Sequence, residues 1–408
     1  MVNAQNIHIV ESPAMPLSQR MINVLGTGSD GWGIYYTTRT LVASGVPVLN
    51  LTIGEHDIRT DPAILAAMDA SARAGNTGYA FGPGKTALRT AIAARVQART
   101  GVPTHWTNVI ITPGGQSGLF SSHMVLLDAG DTALHCDPYY ATYPGTIRSV
   151  GAVPVARPTL PENAFEPVAA DIAARAHGAK TLLINSPNNP TGVVYSRKTL
   201  QGIADVVLDS DLWLISDEVY DTQIWGGTHL SPRALPGMAD RTLVVGSMSK
   251  SHAMTGSRLG WVIGPERVID AITLLATNTT YGVPAFIQDA ALFALAQGPA
   301  FEAEIAAPFR RRRAIAQGLL ATQNVLRLIP SSGAMYLMLD IRATGLSGDD
   351  FASALLADER IAVMPGESFG ASSAGHIRVA MTIADDLFAD ALSRLIRFAQ
   401  TRCVADPR

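Results

Sequence analysis

Lys250 lies in a stretch of sequence whose residue types suit covalent chemistry. It follows the apolar run TLVVG at 242–246, which predicts a buried strand, and the hydroxyl residues Ser247 and Ser249 come just before it. Arg258 follows it by eight residues. An amine at the end of a buried strand, beside hydroxyls and a fixed cation, is what a covalently bound, phosphate-bearing aldehyde cofactor needs. The lysine would form an imine (a Schiff base) with the aldehyde, and the serines and the arginine would hold the phosphate.

The other three lysines of the chain have ordinary explanations. Lys180 precedes the strand-like run TLLIN, and Lys198 lies in a polar segment at a predicted helix start. Lys85 lies in GPGKT, which is similar to the end of a Walker phosphate loop. That loop requires a glycine where Tyr79 stands, and it requires a preceding strand, so we interpret the match as accidental. Lys250 is therefore the predicted catalytic lysine; a surface lysine after a strand is the alternative.

The elements predicted around Lys250 are those of an α/β protein. From Val109 to the Lys250 segment, short apolar strands alternate with helices, which predicts a doubly wound, mostly parallel sheet. The motifs follow the strands at their carboxyl ends, where such sheets bind ligands. A long helix over about 302–323 leads to a predicted smaller α+β domain that ends in a helix over 385–402. The predicted divisions are 1–55 for an N-terminal arm and part of the small domain, 56–300 for the large cofactor-binding domain, and 301–408 for the C-terminal small domain.

Seven motifs in order resemble those of the class I/II aminotransferases of fold type I. They are GYAFGPGKTALR, TPGGQSGL, DPYYATYP, NSPNNPTG, SDEVY, SMSKSHAMTGSRLGW and GHIRVAM, and they run from about Gly78 to Arg378. Enzymes of this family use pyridoxal 5'-phosphate (PLP). The resemblance implies their fold, with a large doubly wound, mostly parallel sheet domain and a smaller α+β domain. It also implies a ping-pong transfer of an amino group from an amino acid to a 2-oxo acid, in which the freed Lys250 moves the proton.

The resemblance assigns the cofactor contacts. The glycines of TPGGQSGL would present backbone N–H groups to the phosphate at a helix N-terminus, where the helix dipole favours an anion. Tyr140 would stack on the pyridine ring, although an aromatic cluster alone is more typical of a core. Asn189 of NSPNNPTG would hydrogen-bond the phenolic oxygen and lie near the substrate carboxylate. The predicted cofactor-binding residues are Gly114, Gly115, Gln116, Tyr140, Asn189, Asp217, Tyr220, Ser247, Lys250, Arg258 and Tyr79.

Asp217 and Tyr220 in SDEVY join Lys250 as predicted catalytic residues. Asp217 ends the apolar run LWLI, and a carboxylate there is costly unless a cation pairs with it. The pyridine nitrogen would supply that cation, and Asp217 would keep it protonated and strengthen the ring as an electron sink. A local arginine is the alternative partner. Tyr220 matches the family tyrosine that hydrogen-bonds the phenolic oxygen.

Arg378 is the predicted anchor for the substrate. It lies in the apolar strand of GHIRVAM, and its planar fork suits the α-carboxylate that the family arginine binds. Gly54 and Asn189 are predicted to line the same pocket. Tyr79 matches a tyrosine that crosses a dimer interface to the partner's phosphate, which implies a homodimer with composite sites. Local packing is the alternative explanation for Tyr79.

The side chain of the substrate is less clearly indicated. The runs ADRTLVVGSMSKSHAMTG and YGVPAFIQDAA resemble bacterial arginine–pyruvate transaminases, and for arginine the pocket needs a carboxylate, which Glu55 or Asp57 would supply. Aspartate with 2-oxoglutarate stays open, because a dicarboxylate needs a cation. The candidate cations are Arg39, Arg59 and His56. His56 and Trp32 are predicted to line this pocket, and simple packing is the alternative for either residue.

Composition bears on whether the protein binds nucleic acid, spans a membrane or is secreted. A net charge of −3 and a pI near 6.3 give no indication of a nucleic-acid partner, and no apolar run approaches the roughly 20 residues of a membrane span. We predict no metal site. Two cysteines and an N-terminus without a signal-peptide pattern favour the cytoplasm. A PLP-dependent β-lyase of the same fold and, from another class, a PLP-binding regulatory domain are the alternatives.

Overall fold

The structure is a computed structural model that describes residues 17–26, 30–80 and 82–403, and it contains two sheets with helices packed on them. The strands are β1 (Leu49–Leu51), β2 (Val109–Thr112), β3 (Thr132–Asp137), β4 (Val153–Pro158), β5 (Ala179–Asn185), β6 (Trp213–Asp217), β7 (Thr242–Ser247), β8 (Gly260–Ile263), β9 (Arg327–Leu328), β10 (Tyr336–Asp340), β11 (Ile361–Pro365) and β12 (His376–Ala380). The α-helices are α1 (Gln19–Ile22), α2 (Gly33–Ala43), α3 (Pro62–Arg73), α4 (Thr86–Thr100), α5 (Gly114–Leu126), α6 (Tyr143–Ser149), α7 (Ala169–Ala173), α8 (Arg197–Asp209), α9 (Met248–Ser251), α10 (Glu266–Thr277), α11 (Ala285–Ala296), α12 (Gly298–Leu320), α13 (Gly348–Glu359) and α14 (Asp385–Gln400).

The larger sheet is mostly parallel, as predicted. Its strand order is β2-β8-β7-β6-β5-β3-β4, and β8 alone among these strands runs opposite to the others. Helices cover both faces, so alternate residues of one strand pack on different helices. In β5, Leu182 and Ile184 pack in one core with α8, and Leu183 between them packs in another with α5 and α10. The central strands β5, β6 and β7 are therefore largely buried, whereas the edge strand β4 is partly exposed.

The smaller sheet has the order β1-β11-β12-β10-β9. β1 comes from the N-terminal part of the chain and pairs parallel with β11, while the other neighbours are antiparallel. Its core includes Phe351 of α13 and Phe388 and Leu395 of α14, all fully buried. The predicted boundaries at residues 55 and 300 stay a prediction.

Three elements differ from the sequence predictions. β8 was not predicted, because its four residues GWVI are too short to show a period. The sequence predicts a helix over 116–127, whereas α5 begins two residues earlier, at Gly114, so the glycines belong to its first turn. α12 spans Gly298–Leu320 instead of 302–323; Gln323 ends it with a side-chain hydrogen bond to the Leu320 carbonyl oxygen (3.0 Å).

Residues 1–16 and 27–29 of the predicted N-terminal segment 1–55 lie outside the described residues. Among the helices that the structure describes, none is long and apolar enough to cross a membrane. The described residues contain no group of three or more His, Cys, Asp or Glu side chains that could hold a metal ion.

Candidate active site

A cavity of about 310 Å³ lies where the carboxyl ends of β5, β6 and β7 face the smaller sheet. Parallel strands bring their following loops to one edge, which is why motifs far apart in the sequence meet here. Most of the predicted site residues line this cavity; Gly114 and Tyr79 do not. The predicted residues that line it are Gly54, Gly115, Gln116, Tyr140, Asn189, Asp217, Tyr220, Ser247, Lys250, Arg258 and Arg378.

Lys250 projects from the short helix α9 directly after β7. The Ser247 side chain caps this helix by accepting a hydrogen bond from the backbone N–H of Ser249 (3.1 Å). Lys250 Nζ donates to the carbonyl oxygen of Gly54. Burial lowers the pKa of Lys250 to about 8, with Arg378 and Arg258 lowering it further against the opposing effect of Glu55. A usable fraction of the amine is therefore unprotonated near neutral pH, as a nucleophile or a base requires.

The N-terminus of α5 and Arg258 form a cationic cup. The first N–H groups of a helix lack partners within the helix, and the helix dipole favours an anion there. A Cβ on Gly114 would lie 2.4 Å from Nη2 of Arg258, so glycine allows the guanidinium to lie against this turn. Arg258 donates to the Thr255 carbonyl oxygen (3.0 Å) and forms no ion pair within the described part of the chain. The cup, with the Ser247 and Ser249 hydroxyls beside it, suits a phosphate.

Asp217 is a buried carboxylate without a cationic partner among the described residues. Its Oδ2 accepts from the Tyr143 hydroxyl (2.6 Å), and its Oδ1 accepts from the Val219 N–H (3.3 Å). Burial raises its pKa to about 6, and these hydrogen bonds lower it only in part. The alternative of pairing with a local arginine is therefore wrong in this structure. A ring nitrogen that carries a proton would satisfy the charge.

Aromatic side chains line the wall between these groups. Tyr140 packs edge-on against Trp32 (centroids 6.4 Å) and against Tyr143 (5.8 Å), so its ring is fixed. The Tyr220 hydroxyl lies 2.9 Å from the hydroxyl of Tyr336. Sequence reasoning missed Tyr143 and Tyr336. The DPYYATYP motif contains Tyr143 and could have identified it. Nothing in the apolar run MYLMLDI distinguishes Tyr336 as a site residue.

Arg378 is 1% exposed and also lacks a carboxylate partner within the described ranges. Nη1 donates to Asn189 Oδ1 (2.9 Å), Nη2 donates to the Thr52 carbonyl oxygen, and Nε has no hydrogen bond. The Cζ atom of Arg378 lies 4.4 Å from the centroid of the Tyr336 ring and 4.4 Å from the centroid of the Phe369 ring. A buried guanidinium with an unused N–H is arranged for an external carboxylate.

The predicted substrate-side residues divide into two groups. Glu55 and Trp32 line the cavity, and Glu55 accepts a hydrogen bond from Thr255 Oγ1 (3.1 Å). His56 does not line the cavity. It is buried edge-on against Phe309 (ring centroids 5.1 Å), so the prediction that it lines the substrate pocket was wrong. The preceding residue, Glu55, faces the cavity. Because adjacent side chains of an extended segment point in different directions, His56 faces away from it.

The other charged candidates also lie elsewhere. Both oxygens of Asp57 accept from the guanidinium of Arg312 (2.9 and 2.7 Å), so this carboxylate is already paired. Arg39 lies over the ring of Tyr35 (5.9 Å), and neither it nor Arg59 lines the cavity. Of the two carboxylates predicted to bind the substrate side chain, Glu55 lines the cavity and Asp57 does not.

Tyr79 is 93% exposed and lies against Tyr281 (centroids 5.6 Å), away from the cavity of its own chain. It does not line the site of the same chain, and its predicted contact across a dimer interface stays a prediction.

Comparison with known proteins identifies the family. Residues 46–395 match the model of the family "Aminotransferase class I and II". The chain belongs to the class I and II aminotransferases. It is 40% identical over 374 residues to the arginine–pyruvate transaminase of Pseudomonas aeruginosa, covering 91% of this chain and 95% of that one. It is 34% identical over 360 residues to an aspartate/prephenate aminotransferase of Thermus thermophilus, covering 86% of this chain and 91% of that one.

A solved structure agrees with this assignment. The aspartate aminotransferase of Thermus thermophilus with maleate superposes with a TM-score of 0.88 at 31% identity, covering 94% of this chain and all of that one. The chain is therefore a PLP-dependent enzyme that transfers the amino group of an amino acid to a 2-oxo acid. The donor set fits PLP: a buried amine, a cationic cup, an unpaired carboxylate and a flat aromatic wall surround one cavity.

Proposed function

We propose that this aminotransferase uses a cationic amino acid, arginine above all, as amino donor and pyruvate as acceptor. Glu55 carries the proposal. It and Asp217 are the acidic side chains among the residues that line the cavity, and Asp217 lies deep beside Tyr143. Glu55 forms no ion pair within the described ranges, so its carboxylate is available to a guanidinium. The relative named as an arginine–pyruvate transaminase supports the same substrate.

The cations of the cavity argue against a dicarboxylate. Lys250, Arg258 and Arg378 are the basic residues that line it, and each has a proposed role in holding the cofactor or the α-carboxylate. No further cation of the described chain lines it for a second carboxylate. Aspartate, which the names of other relatives suggest, is thus the second candidate and becomes one arm of the test.

The proposed roles of the site residues follow their surroundings. PLP, when bound, supplies the electron sink that makes the substrate Cα–H bond acidic. Lys250 would bond to the cofactor at rest and would take the Cα proton on Nζ when free, since its lowered pKa suits a base. Arg378 would bind the α-carboxylate. The residues that would hold PLP are Gly114, Gly115 and Gln116 with Ser247 and Arg258 at the phosphate, Tyr140 at the ring face, Asp217 at the ring nitrogen, and Asn189 and Tyr220 at the phenolic oxygen.

The substrate proposal is tested by kcat/KM for arginine, aspartate and phenylalanine with pyruvate. A charged pocket should favour arginine by ~10⁴-fold, whereas an apolar pocket discriminates by about 10–200-fold. Glu55→Gln should remove most of the preference for arginine and leave phenylalanine turnover near its original rate. Glu304→Gln, an exposed carboxylate that does not line the cavity, is the matched control. A preference for aspartate, or an unchanged preference in Glu55→Gln, would contradict the proposal.

We also propose a cytoplasmic homodimer in which Tyr79 of each chain reaches the phosphate site of the other. The exposure of Tyr79 and Tyr281 supports this, since paired aromatic rings at 93% and 60% exposure are costly in water. Mixing Lys250→Ala chains with Tyr79→Phe chains should restore activity, because each mixed dimer has one site with both changes and one with neither. Full activity of a monomer in sedimentation would contradict it.

A further inference from the structure

Tyr336 connects the two sheets inside the cavity. It is the first residue of β10 in the smaller sheet, its side chain is 3% exposed, and it lines the cavity together with Lys250. None of the roles proposed above uses it. Its neighbours in the cavity, however, are three of the predicted site residues: Tyr220, Gly54 and Arg378.

The Tyr336 hydroxyl is in hydrogen-bond contact with Tyr220. The two oxygens lie 2.9 Å apart, and burial raises the pKa of both phenols, so both stay neutral near pH 7. A neutral phenol both donates and accepts. When Tyr336 donates to Tyr220, the Tyr220 proton is directed to another acceptor in the cavity. That second bond is strengthened, because hydrogen bonds in a chain polarise one another.

Gly54 provides the space that this hydroxyl occupies. A Cβ at position 54 would lie 1.8 Å from the Tyr336 hydroxyl oxygen, so any other residue would displace the ring. The carbonyl oxygen of Gly54 accepts from Lys250 Nζ. The same backbone residue therefore contacts the lysine and leaves room for Tyr336.

The ring of Tyr336 makes a separate contact. Its face lies 4.4 Å from Cζ of Arg378, and Phe369 makes an equal contact with the same guanidinium. Arg378 has no carboxylate partner in the part of the chain that the structure describes, so these rings add to its hydrogen bonds with Asn189 and Thr52 in compensating the charge. A planar guanidinium held by rings keeps its N–H edge turned away from them.

We propose that Tyr336 is a positioning residue for the transamination: its hydroxyl directs the Tyr220 hydroxyl to the cofactor's phenolic oxygen, and its ring orients Arg378 for the substrate carboxylate. The inference rests on the proposed roles of Tyr220 and Arg378 and extends them to a residue of the smaller sheet. A tyrosine that only filled space would exchange for phenylalanine without any spectroscopic effect.

Tyr336→Phe separates the two contacts, because it keeps the ring and removes the hydroxyl. The pH midpoint of the visible absorbance of bound PLP should rise by roughly 0.5–1 unit, since the loss of one hydrogen bond weakens stabilisation of the deprotonated phenolic oxygen. The KM of the amino donor should change little. Tyr336→Leu, which also removes the ring, should raise that KM as well.

A double-mutant cycle tests the coupling. Tyr220→Phe alone should raise the midpoint, and adding Tyr336→Phe should raise it no further, because the second hydroxyl acts through the first. Tyr195→Phe is the control: Tyr195 is buried, it hydrogen-bonds Cys136, and it does not line the cavity. Its midpoint should equal that of the parent.

The outcomes distinguish this inference from the proposed function. An unshifted midpoint in Tyr336→Phe, or a shift that adds in full to that of Tyr220→Phe, overturns the role of Tyr336 alone. An unshifted midpoint in Tyr220→Phe shows that the role proposed for Tyr220 is wrong, and this inference fails with it. Should Tyr336→Phe not fold, Tyr336→Met must give the same rise in the midpoint.

Discussion

Residues of the segment 217–221 contribute to two different clusters of charged side chains. The two clusters differ in how their charges are compensated. Asp217 and Tyr220 line the active-site cavity, while Glu218 and Asp221 line a second cavity of about 250 Å³. The charged residues at the active-site cavity, which we call the unpaired cluster, are Asp217, Lys250, Arg258 and Arg378. The charged residues around the second cavity, which we call the paired cluster, are Arg95, Arg99, Glu218, Asp221, His229 and Glu302.

In the paired cluster, each acidic side chain bonds a basic one. Asp221 accepts from Arg95 (3.0 Å) and from Arg99, Glu302 accepts from the same two arginines (2.6 and 2.8 Å), and Glu218 accepts from His229 (2.9 Å). Burial acts to raise the pKa of Asp221, but the two arginines bring it below its usual value. These charges compensate each other without a ligand.

In the unpaired cluster, the burial of Asp217, Lys250 and Arg378 is not offset by an ion pair within the described chain, whereas Arg258 is exposed. Asp217 has its pKa raised to about 6, Lys250 has its pKa lowered to about 8, and burial also lowers the pKa of Arg378. Uncompensated buried charge costs stability, so it persists where a ligand brings the opposite charge. The absence of a charged partner, more than the presence of charge, therefore marks the ligand site.

The largest effect is expected at Lys250. Lys250→Ala should reduce turnover by at least ~10⁴-fold, because it removes both the covalent anchor and the base, while PLP still binds through the phosphate contacts. Lys85→Ala, which removes a lysine paired with Asp289, should leave turnover near that of the parent. Borohydride reduction and peptide mapping check the assignment. A pyridoxyl group on Lys85, Lys180 or Lys198 would contradict it.

Arg378→Lys sharpens the comparison by keeping the charge and removing the planar fork. The KM values of amino acid and oxo acid should both rise, giving a loss of about 10²-fold or more in kcat/KM. Arg99→Lys makes the same change in the paired cluster, where it should lower the unfolding temperature and leave KM unaffected. Steady-state kinetics and thermal unfolding of the two variants decide this. A lowered unfolding temperature with an unchanged KM for Arg378→Lys would place it with the paired residues.

The sequence predicted the parallel sheet and the residues that follow its strands, since Asn189, Asp217 and Lys250 lie in motifs with a local pattern. It could not predict contacts between distant segments. The pairing of Asp57 with Arg312 spans 255 residues, and it removed Asp57 from the substrate candidates. Tyr336 enters the cavity from the other sheet, where its strand pattern indicates only burial.

The smallest effect concerns stability, and it should have opposite signs for two carboxylates four residues apart. The folded-state pKa of Asp217, about 6, exceeds its usual value of 3.8. Between these values the folded apoprotein binds more protons than the unfolded chain, so its stability falls as the pH rises. A shift of about two units corresponds to roughly 3 kcal/mol. Asp217→Asn should therefore stabilise the apoprotein above pH 6 and change little below pH 4.

Asp221→Asn should do the reverse, because its folded-state pKa is lowered. Its ion pairs contribute stability above the usual pKa of 3.8, and this contribution is lost as the pH falls through the lower folded value. The variant should be less stable than the parent at pH 7, with the difference closing in acid. Denaturant unfolding of both apoproteins from about pH 2 to pH 8 covers both pH windows and measures this. If Asp217→Asn is destabilised at pH 7 as Asp221→Asn is, then Asp217 has a compensating partner in the protein, and the contrast between the two clusters does not hold. If the signs differ, adding PLP to the parent should remove the advantage of Asp217→Asn, because the ring nitrogen then supplies the missing cation.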